Sequence, residues 1–223
     1  MKTKLIVALD VDSFKEAKKI VDLLYPKVKI FKVGLRLFVA EGHQVVKWLV
    51  DKGVKVFLDL KLYDIPNTMK ETARHICRLK IFMFTVHIQA GKEALEQLRE
   101  IVFEEARRLK IRRPLIIGVT VLTSQNTSSQ RIKSLVNIAK EVNLDGIVIS
   151  VKDIRNIPKK IKKRFVLISP AIRMGEIKTD DQKRIATPQE AKRKEIDYIV
   201  MGRPILNADN PIDKVKEILK QLE

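Results

Sequence analysis

The sequence lacks most of the features that mark a specialised class. Cys77 is the one cysteine in 223 residues, so no internal disulfide can form. It falls in a helical pattern, where a packed thiol is expected rather than a reactive one. No apolar run approaches the roughly 18–20 residues needed to cross a bilayer. The opening Met1-Lys2-Thr3-Lys4 leads straight into a strand-like stretch, without the long apolar region and small-residue cleavage site of a signal peptide. There is no zinc-ligand spacing, no aromatic-rich basic strand on which bases could stack, and no Gly-x-Gly-x-x-Gly after the first strand candidate. Linkers, low-complexity segments and charge-only tails are missing too. These absences speak against a membrane protein, a disulfide-stapled secreted domain and a dinucleotide-binding unit. They lead us to expect a cytoplasmic protein folded as one domain over residues 1–223.

What is present is a core and a great deal of positive charge. Hydrophobic residues make up 45% and charged residues 32%, enough apolar material for a sizeable interior. The formal net charge is +18. Half of that surplus lies in residues 151–194, with 14 Lys/Arg against 5 Asp/Glu. Such a surface attracts polyanions, which keeps a nucleic-acid-binding protein in view. The plainer reading is a solvated basic surface, which would also favour a phosphorylated small substrate.

Short β-rich runs alternate with amphipathic helical runs along the whole chain. The strand candidates are Leu5–Leu9, Val28–Val33, Val54–Leu60, Ile81–Val86, Leu115–Val121, Gly146–Ile149, Phe165–Ser169 and Tyr198–Met201. Helical spacing recurs in Ser13–Leu24 behind a serine cap, in Lys92–Leu109 and in Ser129–Val142. Thr187-Pro188 and Asn210-Pro211 put proline at first helical turns, and the last helix is expected to bury Ile212, Val215, Ile218, Leu219 and Leu222. Eight strands each followed by a helix predict an α/β fold, a (β/α)8 TIM barrel; a doubly wound open sheet is the alternative. The sixth strand and the ragged helix Asp153–Ile161 are the weakest parts of that pattern.

A barrel keeps its chemistry at the C-terminal ends of its strands. Asp10 follows the first strand, Lys32 lies near the end of the second, and Asp59 and Lys61 end the third, with Asp64 in the turn beyond. Alternation puts Asp59 and Lys61 on one face. Any one of these is most simply a strand-end ion pair. Five together in a water-poor place point to function, because buried charges are costly unless paired. Arg203 follows Gly202 after strand eight, and Arg173 and Gln182 follow strand seven, where barrels often bind phosphate. Residue chemistry thus implies a barrel enzyme with a phosphorylated substrate, and leaves the reaction open.

The stretch Asp59-Leu60-Lys61-Leu62-Tyr63-Asp64-Ile65-Pro66-Asn67-Thr68 resembles the signature of the orotidine 5'-phosphate decarboxylase family. Its Asp-x-Lys-x-x-Asp core is shared with related phosphosugar barrels; Ile-Pro-Asn-Thr is more specific. The resemblance runs in order through Ala8-Leu9-Asp10, Phe31-Lys32-Val33-Gly34, Thr85-Val86-His87, Thr120–Ser124, Ser169–Arg173, Asp181-Gln182-x-Arg184 and Gly202-Arg203-Pro204-Ile205. It therefore spans nearly the whole chain.

That resemblance implies roles. Lys61 would be the proton donor, with Asp59, Lys32 and Asp64 completing a charged network, Asp64 from the other subunit of a homodimer. Asp10 and Lys32 would hold the ribose, Thr68 would reach the ligand across the interface, and Thr123 would contact the pyrimidine. Arg173, Gln182, Gly202 and Arg203 would hold the phosphate. It implies no metal and no cofactor. His87 reads as a supporting residue, and His43 and His75 as ordinary helical residues. The chain departs from the family at Ala171, Ala90 and Glu195, where glycine is common. The alternative within the superfamily is a metal-dependent phosphosugar lyase, of the hexulose-phosphate synthase or keto-gulonate-phosphate decarboxylase type.

Overall fold

The computed structural model describes residues 3–175 and 184–223. Eight parallel strands close into a barrel in sequence order. They are β1 (Lys4–Ala8), β2 (Ile30–Gly34), β3 (Lys55–Leu62), β4 (Met83–His87), β5 (Leu115–Val119), β6 (Gly146–Val148), β7 (Val166–Ser169) and β8 (Tyr198–Met201). β1 pairs with β8 as well as β2, so no edge is left open. All eight expected strands are present, and the open-sheet alternative falls.

The larger helices are α1 (Phe14–Leu24), α2 (Leu35–Asp51, broken at Gly42), α3 (Pro66–Arg78), α4 (Lys92–Arg108) and α5 (Ser129–Glu141). After β6 comes a 3-10 turn and a single helical turn, α6 (Lys159–Lys162), where the sequence is too irregular for more. α7 (Pro188–Arg193), α8 (Arg203–Leu206) and α9 (Pro211–Leu222) follow. The caps lie where the sequence puts them. The Ser13 side chain accepts from the Glu16 N–H, Thr187 and Glu190 form a reciprocal capping box, and Asn210 accepts from Ile212 and Asp213. In α9, Val215, Ile218 and Leu222 are buried, while Ile212 and Leu219 are partly covered.

Strand alternation divides the core in two. Leu5, Val7 and Leu9 face the helices, whereas Ile6 and Ala8 join Ile30, Phe57, Met83, Ile117, Ile168 and Val200 inside the barrel. Followed up the first four strands, the inward parity changes from apolar to polar: Ala8 leads to Asp10, Ile30 to Lys32, Phe57 to Asp59 and Met83 to Thr85. The charged residues stand at the mouth because they continue a row whose lower members fill the interior.

A helix end explains the departure from glycine at Glu195. Residues at φ above zero after a helix are usually glycine, and here Gly53 ends α2 in that way at φ 84°. The corresponding positions after α3, α4, α5 and α7 are Lys80, Lys110, Asn143 and Glu195, at φ between 52° and 58°. In each of α2, α4, α5 and α7 the next N–H closes on the carbonyl five residues back, as Ile196 does on Ala191 at 3.1 Å. Ala171 is likewise left-handed, at φ 59°, so two of the three departures hold a glycine-favouring conformation without glycine. At the third, Ala90 is in a 3-10 turn and Gly91 takes the positive φ, 92°.

Lys80, Lys110 and Glu195 are exposed, so glycine can replace them without losing packing. Each exchange removes about 1–2 kcal/mol of left-handed strain against ~0.5–1 kcal/mol of added unfolded-chain entropy. The combined variant Lys80→Gly, Lys110→Gly, Glu195→Gly is expected to melt a few degrees higher by calorimetry. An unchanged or lower Tm would show that the side chains stabilise these turns.

Candidate active site

The barrel mouth opens on a cavity of about 390 Å³ lined by residues from β1, β2, β3 and β5 through β8. Asp10, Lys32, Asp59 and Lys61 stand on one side of it, and Thr123, Arg173, Gly202 and Arg203 also line it. Lys32 Nζ lies 3.1 Å from Asp10 Oδ1 and 3.6 Å from Asp59 Oδ2. Lys61 Nζ donates to the same Asp59 oxygen at 2.9 Å. Four side chains thus form a row of alternating sign. Burial alone would push the Asp59 carboxyl up. Lys32 and Lys61, with hydrogen bonds from Lys61 and Thr85, outweigh it and hold Asp59 below its ordinary value.

Close packing needs two glycines here. A Cβ at Gly34 would lie 2.8 Å from Lys32 Nζ, and one at Gly202 would lie 3.1 Å from Asp10 Oδ2 and 3.3 Å from Ala8 Cβ. Gly34 makes room for the ammonium and Gly202 for the carboxylate. Gly202 also precedes the short α8, which begins at Arg203.

Two expected residues stand apart from this row. Asp64 is exposed, its Oδ1 accepts from the Ile65 N–H at 2.7 Å, and it does not line the cavity. Thr68 is exposed on the first turn of α3. Gln182 lies outside the described residues.

The geometry adds two residues that pattern reading passed over. Thr85 is fully buried; its hydroxyl donates to Asp59 Oδ1 at 3.0 Å and accepts from the Lys61 N–H at 2.8 Å. Arg184 is paired with Asp153 and donates to the Leu122 carbonyl at 2.7 Å and the Val121 carbonyl at 3.2 Å, tying together the loops after β5 and β6. Both occur in the family-like segments, yet neither is marked by its own chemistry. His87 does not line the cavity. Its ring packs against Tyr63 at 5.6 Å, and burial, with the Lys61 ammonium nearby, pushes the imidazole down. His43 and His75 are exposed on helices. Cys77 is buried, and burial pushes its thiol up to about 11.

Among the described residues, no helix is long and apolar enough to cross a membrane, and no group of three or more His, Cys, Asp or Glu side chains is placed to hold a metal ion.

Fold and site together define a (β/α)8-barrel enzyme with a charged pocket at the C-terminal face. Residues 3–218 match the Orotidine 5'-phosphate decarboxylase / HUMPS family, and the chain belongs to it. It is 39% identical to the orotidine 5'-phosphate decarboxylase of Dictyoglomus turgidum, covering 98% of this chain and 95% of that one. It is 40% identical to the enzyme of the same name from Legionella pneumophila strain Paris, over the full length of both. The crystal structure of orotidine 5'-phosphate decarboxylase from Lactobacillus acidophilus superposes with a TM-score of 0.85 at 31% identity, covering 99% of each chain.

Asp59→Asn keeps the volume but removes the charge between the two lysines. Because the wild-type carboxyl is held below its ordinary 3.8, its stabilisation is fully present above that pH and is lost as pH falls through the lowered value. The variant is expected to melt below wild type by a constant margin from pH 7 to about 4, with the gap narrowing under more acid conditions. A gap independent of pH down to 3 would mean that the carboxylate charge does not stabilise the site.

Proposed function

We propose that the chain decarboxylates orotidine 5'-phosphate to uridine 5'-phosphate, a step of pyrimidine biosynthesis, without metal or organic cofactor. The observation that carries this reading is the alternating row Asp10, Lys32, Asp59, Lys61 at the cavity wall, combined with relatives of that name at 39–40% identity over the whole chain. The family's description also covers phosphosugar enzymes. Ile65-Pro66-Asn67-Thr68 and the full-length relatives favour the nucleotide reaction over them.

The chemistry follows from the charges. Loss of CO2 leaves a carbanion on the pyrimidine with no obvious resonance sink. A fixed ammonium beside that carbon stabilises the charge without reorganising, then delivers the proton. Lys61 suits this better than Lys32. Lys32 is held by two carboxylates and is 11% exposed, whereas Lys61 is held by one and is 30% exposed. Asp59 faces the substrate carboxylate, and that repulsion eases as CO2 departs. Thr123 contacts the ring, Asp10 and Lys32 the ribose, and Arg173, Gln182, Gly202 and Arg203 the phosphate. The phosphate contributes binding energy remote from the bond that breaks.

The enzyme is proposed to work in the cytoplasm as a homodimer, with Asp64 and Thr68 of each chain serving the partner's site. In support, Tyr63 (62% exposed) and Ile65 (67%) flank Asp64, and Leu35 and Val39 are exposed beyond the neighbouring strand. Apolar side chains so placed mark a covered surface. Among the described basic residues of 151–194, Lys152, Arg155, Lys159, Lys160, Lys163 and Arg164 are exposed and read as a solvated surface, whereas Arg184 is half-buried in its pair with Asp153.

Loss of orotidine 5'-phosphate absorbance should be seen with the purified protein and should survive EDTA. Activity abolished by EDTA and restored by magnesium would instead favour the metal-dependent phosphosugar class. For the shared site, Lys61→Ala and Asp64→Ala proteins should each be inactive, and mixing them should restore up to half of wild-type activity per mixed dimer, since one site then carries both defects and the other neither. Heterodimers that form without rescue would place Asp64 in its own chain's site.

A further inference from the structure

The reaction proposed above requires Asp59 and Lys61 to stand in one fixed relation, and the strand that carries them is irregular at that point. The pairing of β3 with β4 goes from Leu58 opposite Phe84 to Leu62 opposite Val86. Three residues of β3, Asp59, Leu60 and Lys61, therefore face the single residue Thr85. Lys61 takes up the slack in a left-handed conformation, φ 53°, which a lysine does not adopt without support. Its N–H has left the strand ladder and needs another acceptor. Thr85 Oγ1 supplies it at 2.8 Å.

That contact sets the direction of the hydroxyl. A backbone N–H can only donate, so the Thr85 oxygen accepts there and its own proton goes to Asp59 Oδ1, 3.0 Å away. Thr85 is 0% exposed. The hydroxyl occupies one carboxylate oxygen and leaves the other, Oδ2, to Lys61 at 2.9 Å and Lys32 at 3.6 Å.

We propose that Thr85 is a positioning residue for the reaction: its hydroxyl locks the bulge that carries Lys61 and fixes which oxygen of Asp59 meets the two ammonium groups. It acts through Asp59 and Lys61. The inference rests on the decarboxylase reading for its effect on turnover, but its structural part does not. Among the described residues, the charged and titratable groups around Asp59 are Lys32 from β2, Lys61 on its own strand, Asp10 beyond Lys32, and the imidazole of His87 farther along β4.

The test compares Thr85→Val, which keeps the branched shape and loses the hydroxyl, with Thr85→Ser, which keeps the hydroxyl. Losing a hydrogen bond to a charged group at the reacting centre should lower kcat roughly 10- to 100-fold in Thr85→Val. Thr85→Ser should stay within about threefold of wild type, and uridine 5'-phosphate should bind all three proteins alike, since a hydroxyl bond of this class is worth a factor of about ten or more only where it acts. The acid limb of kcat/KM should move to higher pH in Thr85→Val alone, because Asp59 loses a donor that favours its charged form. Carbon-13 NMR of the Asp59 carboxyl should show the same upward shift with no turnover involved. If Thr85→Val does not fold, Thr85→Ala against Thr85→Ser makes the same comparison. Wild-type protein without decarboxylase activity would sink the functional reading, and the Asp59 titration would still decide on Thr85. An Asp59 titration unmoved by loss of the hydroxyl, or equal loss of kcat in the Ser and Val variants, would overturn the proposal.

Discussion

A carboxylate removed from water at the end of a β-strand is unstable unless something replaces its hydration, and Asp59 is in that position. It is buried, with Lys32 and Lys61 on one oxygen and the Thr85 hydroxyl on the other. The rest of the mouth is arranged around meeting this demand. Lys32 must reach it from the next strand, so Gly34 carries no side chain where its ammonium sits. Lys32 in turn needs Asp10, and Asp10 needs the space left by Gly202. Lys61 must turn back toward its own strand neighbour, so β3 bulges and its backbone goes left-handed. Separate local irregularities thus have one electrostatic cause.

The barrel was legible in the sequence because its strands are parallel and covered on both faces, which leaves eight short apolar runs with little else to confuse them. Three of the five charged residues at strand ends were legible for a related reason. Inward parity is inherited along a strand, so the residue two beyond Ala8, Ile30 or Phe57 continues the same row. Parity accounts for Lys61 less well, because between Asp59 and Lys61 the pairing shifts and the side chain returns to the cavity by a bulge. Thr85 was not legible as a site residue for the same cause: a threonine in a strand looks like a β-former until the missing ladder bond beside it is known. Asp64 sits within the motif but faces solvent in a single chain, and no pattern within one chain can say what lies opposite it. The left-handed residues Lys80 and Lys110 were also invisible as such, since nothing in a lysine announces positive φ, and Glu195 was marked only by standing where the family commonly has glycine.

On the proposed reaction, charge balance gives the four-membered row a further meaning. Asp10, Lys32, Asp59 and Lys61 sum to zero at neutral pH, so the resting site has paired its charges internally. A substrate carboxylate entering beside Asp59 upsets that balance, and a carboxylate of the partner chain near Lys61 would upset it further. The excess is negative and is placed where the scissile group must sit. Loss of CO2 removes the substrate's carboxylate and leaves its charge on the ring carbon, within reach of the ammonium that, among the described residues, is paired with Asp59. Protonation then neutralises the carbon and leaves Lys61 neutral in a site rich in carboxylates, which favours its return to the ammonium form. A row of lysines alone would bind the anionic substrate more tightly and stabilise the ground state with it. The interleaved aspartates prevent that uniform gain, and leave the ammonium's stabilisation to appear mainly as the carbanion forms.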